Sequence, residues 1–91
     1  MTGTLRSAIA ELVGTFVFVF AIIGAVNSGS PFTPLAIGFA LMIMVYATGH
    51  ISGAHLNPAV SVGVWLRGAI GVAGLVAYIV AQLVGAALAA A

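Results

Sequence analysis

Apolar residues run almost unbroken from position 7 to position 26. Twenty residues at about 1.5 Å rise cover roughly 30 Å, the thickness of a bilayer's hydrocarbon layer. The pattern predicts a membrane span there. Asn27-Ser28-Gly29-Ser30-Pro31-Phe32-Thr33-Pro34 follows as a short loop of turn residues. A second span is predicted over residues 34–49, with Pro34 in its first turn, where a missing N–H is harmless. It is short for a full crossing, so its start could lie earlier in the loop. A third apolar run predicts the last span over residues 69–91. It carries Ala73, Ala77, Ala81, Gly85 and Ala89 at every fourth position. That spacing of small residues lets two helices pack closely in lipid; the bland alternative is that alanine is common in membrane helices.

Residues 50–66 break the pattern. His50, Ser52, His55, Asn57 and Pro58 crowd together, and residues 59–66 are apolar again. The segment is too polar for an ordinary span and too apolar for an ordinary loop. Its second part forms a helix of only about two turns, near half a bilayer. A half-length helix opened by Asn-Pro predicts a segment that enters the membrane and leaves on the same side. Irregular backbone at that depth is tolerated only against protein or a water-filled cavity, so the pattern predicts a cavity. The fold class is therefore an all-α membrane protein with three transmembrane helices and one re-entrant half-helix, in a single unit over residues 1–91.

Composition agrees with membrane insertion. The chain is 64% hydrophobic and 3% charged, and its charges are Arg6, Glu11 and Arg67. Soluble domains run nearer 45–50% apolar and about 25% charged. A net charge of +1 offers no basic patch for nucleic acid. The absence of cysteine excludes disulfides and thiol chemistry. A cleaved signal peptide is a poor reading of the N-terminus, because the apolar run exceeds the usual ~7–15 residues and contains Glu11. Arg6 and Arg67 are separated by two predicted crossings, so both fall on one side. The positive-inside rule makes that side, and the N-terminus, cytoplasmic.

The Asn57-Pro58-Ala59 string has its own chemistry. Pro58 suits the first helical position, which makes Asn57 the N-cap. Its side-chain oxygen can accept from a free N–H at Ala59 or Val60. Its NH₂ is then a fixed donor at a helix tip that carries the positive end of the dipole. Water or a small alcohol can accept that hydrogen bond, whereas a cation is disfavoured. Upstream, Gly53, Ala54, His55 and Leu56 in extended backbone would offer a line of carbonyl acceptors. The alternative for the tripeptide alone is an ordinary helix start. His50 and His55 are five apart and have no nearby carboxylate or cysteine, so no metal site is expected. No nucleophile–base pair stands out, so the reading is not an enzyme, and nothing calls for a cofactor.

The longer string, Gly49-His50-Ile51-Ser52-Gly53-Ala54-His55-Leu56-Asn57-Pro58-Ala59-Val60, resembles the first Asn-Pro-Ala loop of the major intrinsic protein (aquaporin) family. Residues 10–16 resemble that family's first helix and residues 78–86 its third. The resemblance covers essentially the whole chain. It implies a channel for water or a small neutral solute, with Asn57 as midplane donor and Gly53 to Leu56 as pore-lining carbonyls. It implies that Glu11 is a buried acid bracing the re-entrant loop and that Gln82 is a polar bridge between helices. On residues alone, Glu11 could instead reach water at the interface, and Gln82 could make a lone interhelical hydrogen bond.

The chain also departs from the family's pattern. The resemblance implies six spans in two inverted halves, each with its own motif, whereas three spans and one motif are found here. The expectation is half of such an inverted repeat, incomplete alone, needing a second channel half or further copies of itself beside the lipid bilayer. Both arginines favour one orientation, which argues against an inverted pair of copies. The family's filter arginine follows the second motif; the matching position after this motif is Val60, and Arg67 does not substitute for it. The second-helix filter position, aromatic in water-selective members, corresponds to Ile37, which keeps glycerol open as a solute. A small membrane protein with a structural or assembly role and no conduction is the reading from a different class.

Overall fold

The computed structural model describes residues 3–91. Helix α1 spans Gly3–Asn27, α2 Thr33–Ser52, α3 Pro58–Leu66 and α4 Val72–Ala90. Among the described residues, α1, α2 and α4 are long and apolar enough to cross a membrane. The nine residues of α3 reach about 13 Å.

Local chemistry sets the ends of these helices. After α1, Gly29 takes a left-handed φ of 66°, and the Thr33 hydroxyl donates to the Ala25 carbonyl at 2.9 Å, tying the turn together. The start of α2 is Thr33, one residue before the expected 34. Its end is Ser52, not residue 49. Gly49 continues the helix, and the stop comes at Gly53, whose φ of 86° is inexpensive without a Cβ. The helix is thereby a full crossing of 20 residues, and His50, Ile51 and Ser52 belong to its last turn. The end of α3 is a Schellman turn: Gly68, at φ 79°, donates to the Trp65 carbonyl, and Ala69 to the Val64 carbonyl. That turn occupies the residues before Val72, so α4 begins three residues later than the expected 69.

Helix α1 packs between α2 and α4, and α3 packs on α4. The direction of α4 follows from its partners. Tyr78 bonds to the last residue of α2, Gln82 bonds to Glu11, and Gly85 lies against Leu12 and Phe16. Rising numbers match on both helices, so α4 runs parallel to α1. At Gly85 an added Cβ would collide with the Leu12 carbonyl oxygen and lie 3.2 Å from the Phe16 nitrogen. Of the small residues at fourth positions, Ala81, Gly85 and Ala89 are buried, Ala77 is half-buried and Ala73 is exposed.

The interior is inverted relative to a soluble domain. Among the described residues the largest fully buried side chains are Gln82, Glu11 and Ser61, at 1%, 0% and 0% exposure. Phe20, Phe39, Ile43, Val76 and Leu83 are exposed. Such a surface suits hydrocarbon, and the chain is an integral, multi-pass membrane protein.

Candidate functional site

The site is the five-residue loop from Gly53 to Asn57 and the start of α3. Its backbone is not extended as the sequence leads one to expect: Gly53 at φ 86°, Ala54 at 54° and Leu56 at 58° are left-handed. For Ala54 and Leu56 this conformation is unfavourable by about 1–2 kcal/mol each, so the surroundings must hold it.

Glu11 holds it. Its Oε1 accepts from the Leu56 N–H at 2.8 Å and from the Gln82 amide at 2.7 Å. Its Oε2 accepts from the Ser52 hydroxyl at 2.5 Å and from the His55 N–H at 3.1 Å. One acidic side chain thus gathers the end of α2, the loop and α4. The interfacial alternative for Glu11 does not apply, since the residue is wholly buried.

The peptide units are trans among the described residues. In a trans unit the carbonyl points opposite to the N–H. With the His55 and Leu56 N–H groups on Glu11, the carbonyls of Ala54 and His55 point away from it, and neither accepts a hydrogen bond from a described residue. The Leu56 side chain turns the other way and is buried, with Cδ2 against Gly14.

Asn57 caps α3: the Ala59 N–H donates to Asn57 Oδ1 at 2.8 Å. That bond fixes which amide atom faces the helix. Asn57 is exposed, and its NH₂ has no partner among the described residues. Pro58 is the first residue of α3 and Ala59 supplies the capped N–H. Donor and acceptors therefore lie within one short stretch of chain. Ile37 is not part of it; half-buried near the start of α2, it lies about 22 Å along the helix from Ser52.

Behind the loop is a chain of polar contacts. The Gln82 amide also donates to Ser61 Oγ at 2.9 Å, so its two N–H groups bridge Glu11 and Ser61. Ser61 Oγ lies 2.9 Å from His55 Nδ1. The His55 ring meets the Tyr78 ring edge-on at 4.8 Å, and the Tyr78 hydroxyl donates to the Ser52 carbonyl at 2.7 Å. The Ser7 hydroxyl donates to the Ile51 carbonyl at 2.9 Å. Two carbonyls at the end of α2, which lack helical partners, are thus capped by side chains of α1 and α4. Gln82 Oε1 and Thr15 Oγ1 are enclosed without a partner among the described residues.

Ser7, Ser61 and Tyr78 were not singled out by residue-level reading. A signal existed for each of them. Ser61 is the one polar side chain inside the apolar stretch 59–66, and a hydroxyl there needs a partner. Tyr78 precedes Gln82 by four positions, which puts both on one helix face. Ser7 precedes Glu11 by four positions and carries the same mark.

The sequence matches the family described as Major intrinsic protein over residues 1–91. It is 44% identical to an Aquaporin Z of Photorhabdus laumondii subsp. laumondii, over 96% of this chain and 42% of that protein. It is 45% identical to Aquaporin NIP1-1 of Zea mays, over 93% of this chain and 33% of the relative. Aquaporin AqpM of Methanothermobacter thermautotrophicus is 38% identical over 98% of this chain and 46% of its own length. The chain spans less than half the length of each of these relatives.

Proposed function

Because the chain belongs to the major intrinsic protein family, we propose that it supplies half of a membrane channel passing water or a small neutral solute such as glycerol. The observation that carries this reading is the free NH₂ of Asn57 at the tip of a half-length helix, beside the outward carbonyls of Ala54 and His55. A solute that both donates and accepts hydrogen bonds can exchange its water shell for these groups. The helix dipole behind Asn57 repels a cation at the same point. The path is formed with a second channel half or with further copies of the chain. The chain acts by lining a passive path and catalyses no reaction.

In this reading Glu11 and Gln82 brace the loop, while Gly53, Ala54, His55 and Leu56 contribute backbone to the path, followed by Asn57, Pro58 and Ala59. Ile37 occupies the filter position, and an aliphatic side chain there widens the choice of solute. The N-terminus is cytoplasmic. Arg6 stands near the start of α1 and Arg67 in the turn before α4, which runs parallel to α1, so both positive charges sit at one end of the bundle.

The test uses a chimera joining this chain to the part of the Photorhabdus laumondii relative that it does not match. Liposomes carrying the chimera should shrink faster in hyperosmotic buffer than empty ones, and Asn57→Asp should abolish the gain or admit cations. Inserted, helical chimera that leaves shrinkage at the empty-liposome rate sinks the proposal. It would favour the other reading, a structural or assembly membrane protein without conduction. Acceleration by the 91-residue chain alone would identify further copies as the partner.

A further inference from the structure

We propose that Tyr78 is a positioning residue that sets the direction of the outward carbonyls of Ala54 and His55, and through them the selectivity of the path. The inference rests on the channel reading and adds a residue to it.

Tyr78 is buried, and it touches the end of α2 and the loop with two different groups. Its hydroxyl donates to the Ser52 carbonyl at 2.7 Å. This fixes the Ser52–Gly53 peptide, the last unit before the left-handed stretch begins. Its ring lies 4.8 Å from the His55 ring at an interplanar angle of 61°. Edge-on aromatic pairs are attractive and directional. The His55 ring also meets Ser61, whose Oγ lies 2.9 Å from Nδ1. The His55 side chain is therefore clamped, and with it the α-carbon between the two outward carbonyls. Glu11 fixes the inner edge of those two peptide units through their N–H groups. The units can still rock about that edge, and the Tyr78 contacts oppose the rocking from the flank. Tyr78 and Gln82 are four apart on α4, so one helix face carries both the clamp and the bridge to Glu11.

The two contacts are separable. Tyr78→Phe removes the hydroxyl and keeps the ring; Tyr78→Leu removes both. Tyr46→Phe is the control, because Tyr46 is 79% exposed on α2. Amide hydrogen exchange and the His55 ring resonances are read in the 91-residue chain in lipid. The ratio of water to glycerol permeability is read in the chimera, since a ratio does not depend on how many channels fold. In Tyr78→Phe the His55 and Leu56 amides should exchange about fivefold faster, as expected for one lost neutral hydrogen bond. The His55 ring protons should keep their ring-current shift in Tyr78→Phe and lose it in Tyr78→Leu. The permeability ratio should fall in Tyr78→Leu and recover in part in Tyr78→Phe. Unchanged loop exchange overturns the proposal, and so does an equal rise throughout α1 and α2, which would mark a general packing role. Faster loop exchange with an unchanged ratio overturns it as well. A parent chimera that conducts neither solute counts against the channel reading itself, while the exchange data still decide whether Tyr78 holds the loop.

Discussion

The backbone N–H of Leu56 donates to Glu11 Oε1 at 2.8 Å, across 45 positions of the chain. Two acceptor oxygens serve four donors here, and two of these donors are backbone groups that cannot turn away. Glu11→Gln keeps the shape and removes one acceptor. Either orientation of the new amide points an N–H at a backbone N–H, of His55 or of Leu56. The expected loss is about 3 kcal/mol of stability, from a buried donor left unpaired. Thermal unfolding in detergent measures it, and a variant within about 0.5 kcal/mol of the parent would show that the acid does not hold the loop.

Gly85 and Gly38 should respond oppositely to the same substitution. A methyl group at Gly85 runs into the Leu12 carbonyl oxygen, which is backbone and cannot rotate aside. Gly85→Ala should destabilise by about 2 kcal/mol by forcing α1 and α4 apart. At Gly38 an added Cβ meets nothing within 4 Å. Gly38→Ala should stabilise by about 0.5–1 kcal/mol through the lower entropy of the unfolded chain. Equal effects at the two sites would contradict the close crossing.

Ala54→Gly should make the protein more stable. Ala54 sits at φ 54°, where its Cβ is the source of the penalty and glycine has none. The expected gain is about 0.5–1 kcal/mol after the added freedom of glycine in the unfolded chain is subtracted. A destabilised variant would mean that the Ala54 methyl makes a packing contact that outweighs its strain.

Asn57 has two jobs that substitutions can divide. Asn57→Ala deletes the acceptor for the Ala59 N–H and should lower stability by about 1 kcal/mol. Asn57→Asp keeps an acceptor and should leave stability near that of the parent, while replacing the outward donor with a negative charge. Circular dichroism melts of both variants check this. Equal destabilisation by alanine and aspartate would remove the capping role from the account.

The helices were legible because lipid demands continuous apolar runs, and the break at residues 50–66 was legible because it violates that demand. Helix ends were read less well. The second span is expected to end at residue 49, yet the helix runs on to Ser52 and stops at Gly53, where the chain turns left-handed. The Asn57 cap was readable from three residues of local sequence. The contacts of Ser7 and Tyr78 were not, because both act on carbonyls at the end of another helix. Nothing in a hydroxyl's own neighbourhood names a backbone atom 26 or 44 positions away.

The buried polar cluster also orders events in time. Gln82 lies 71 positions after Glu11 and supplies one of its four donors. While α1, α2 and the loop are already in the membrane and α4 is still being made, Glu11 lacks that donor, and Ser61 and Ser52 lack Gln82 and Tyr78. Lipid offers these groups no substitute, and apolar surface gives the helices little preference among alternative registers. Helix α4, made after the other three described helices, is thus the one that locks the loop, and a nascent chain halted before Gln82 should hold its half-helix in an unset, exchanging state.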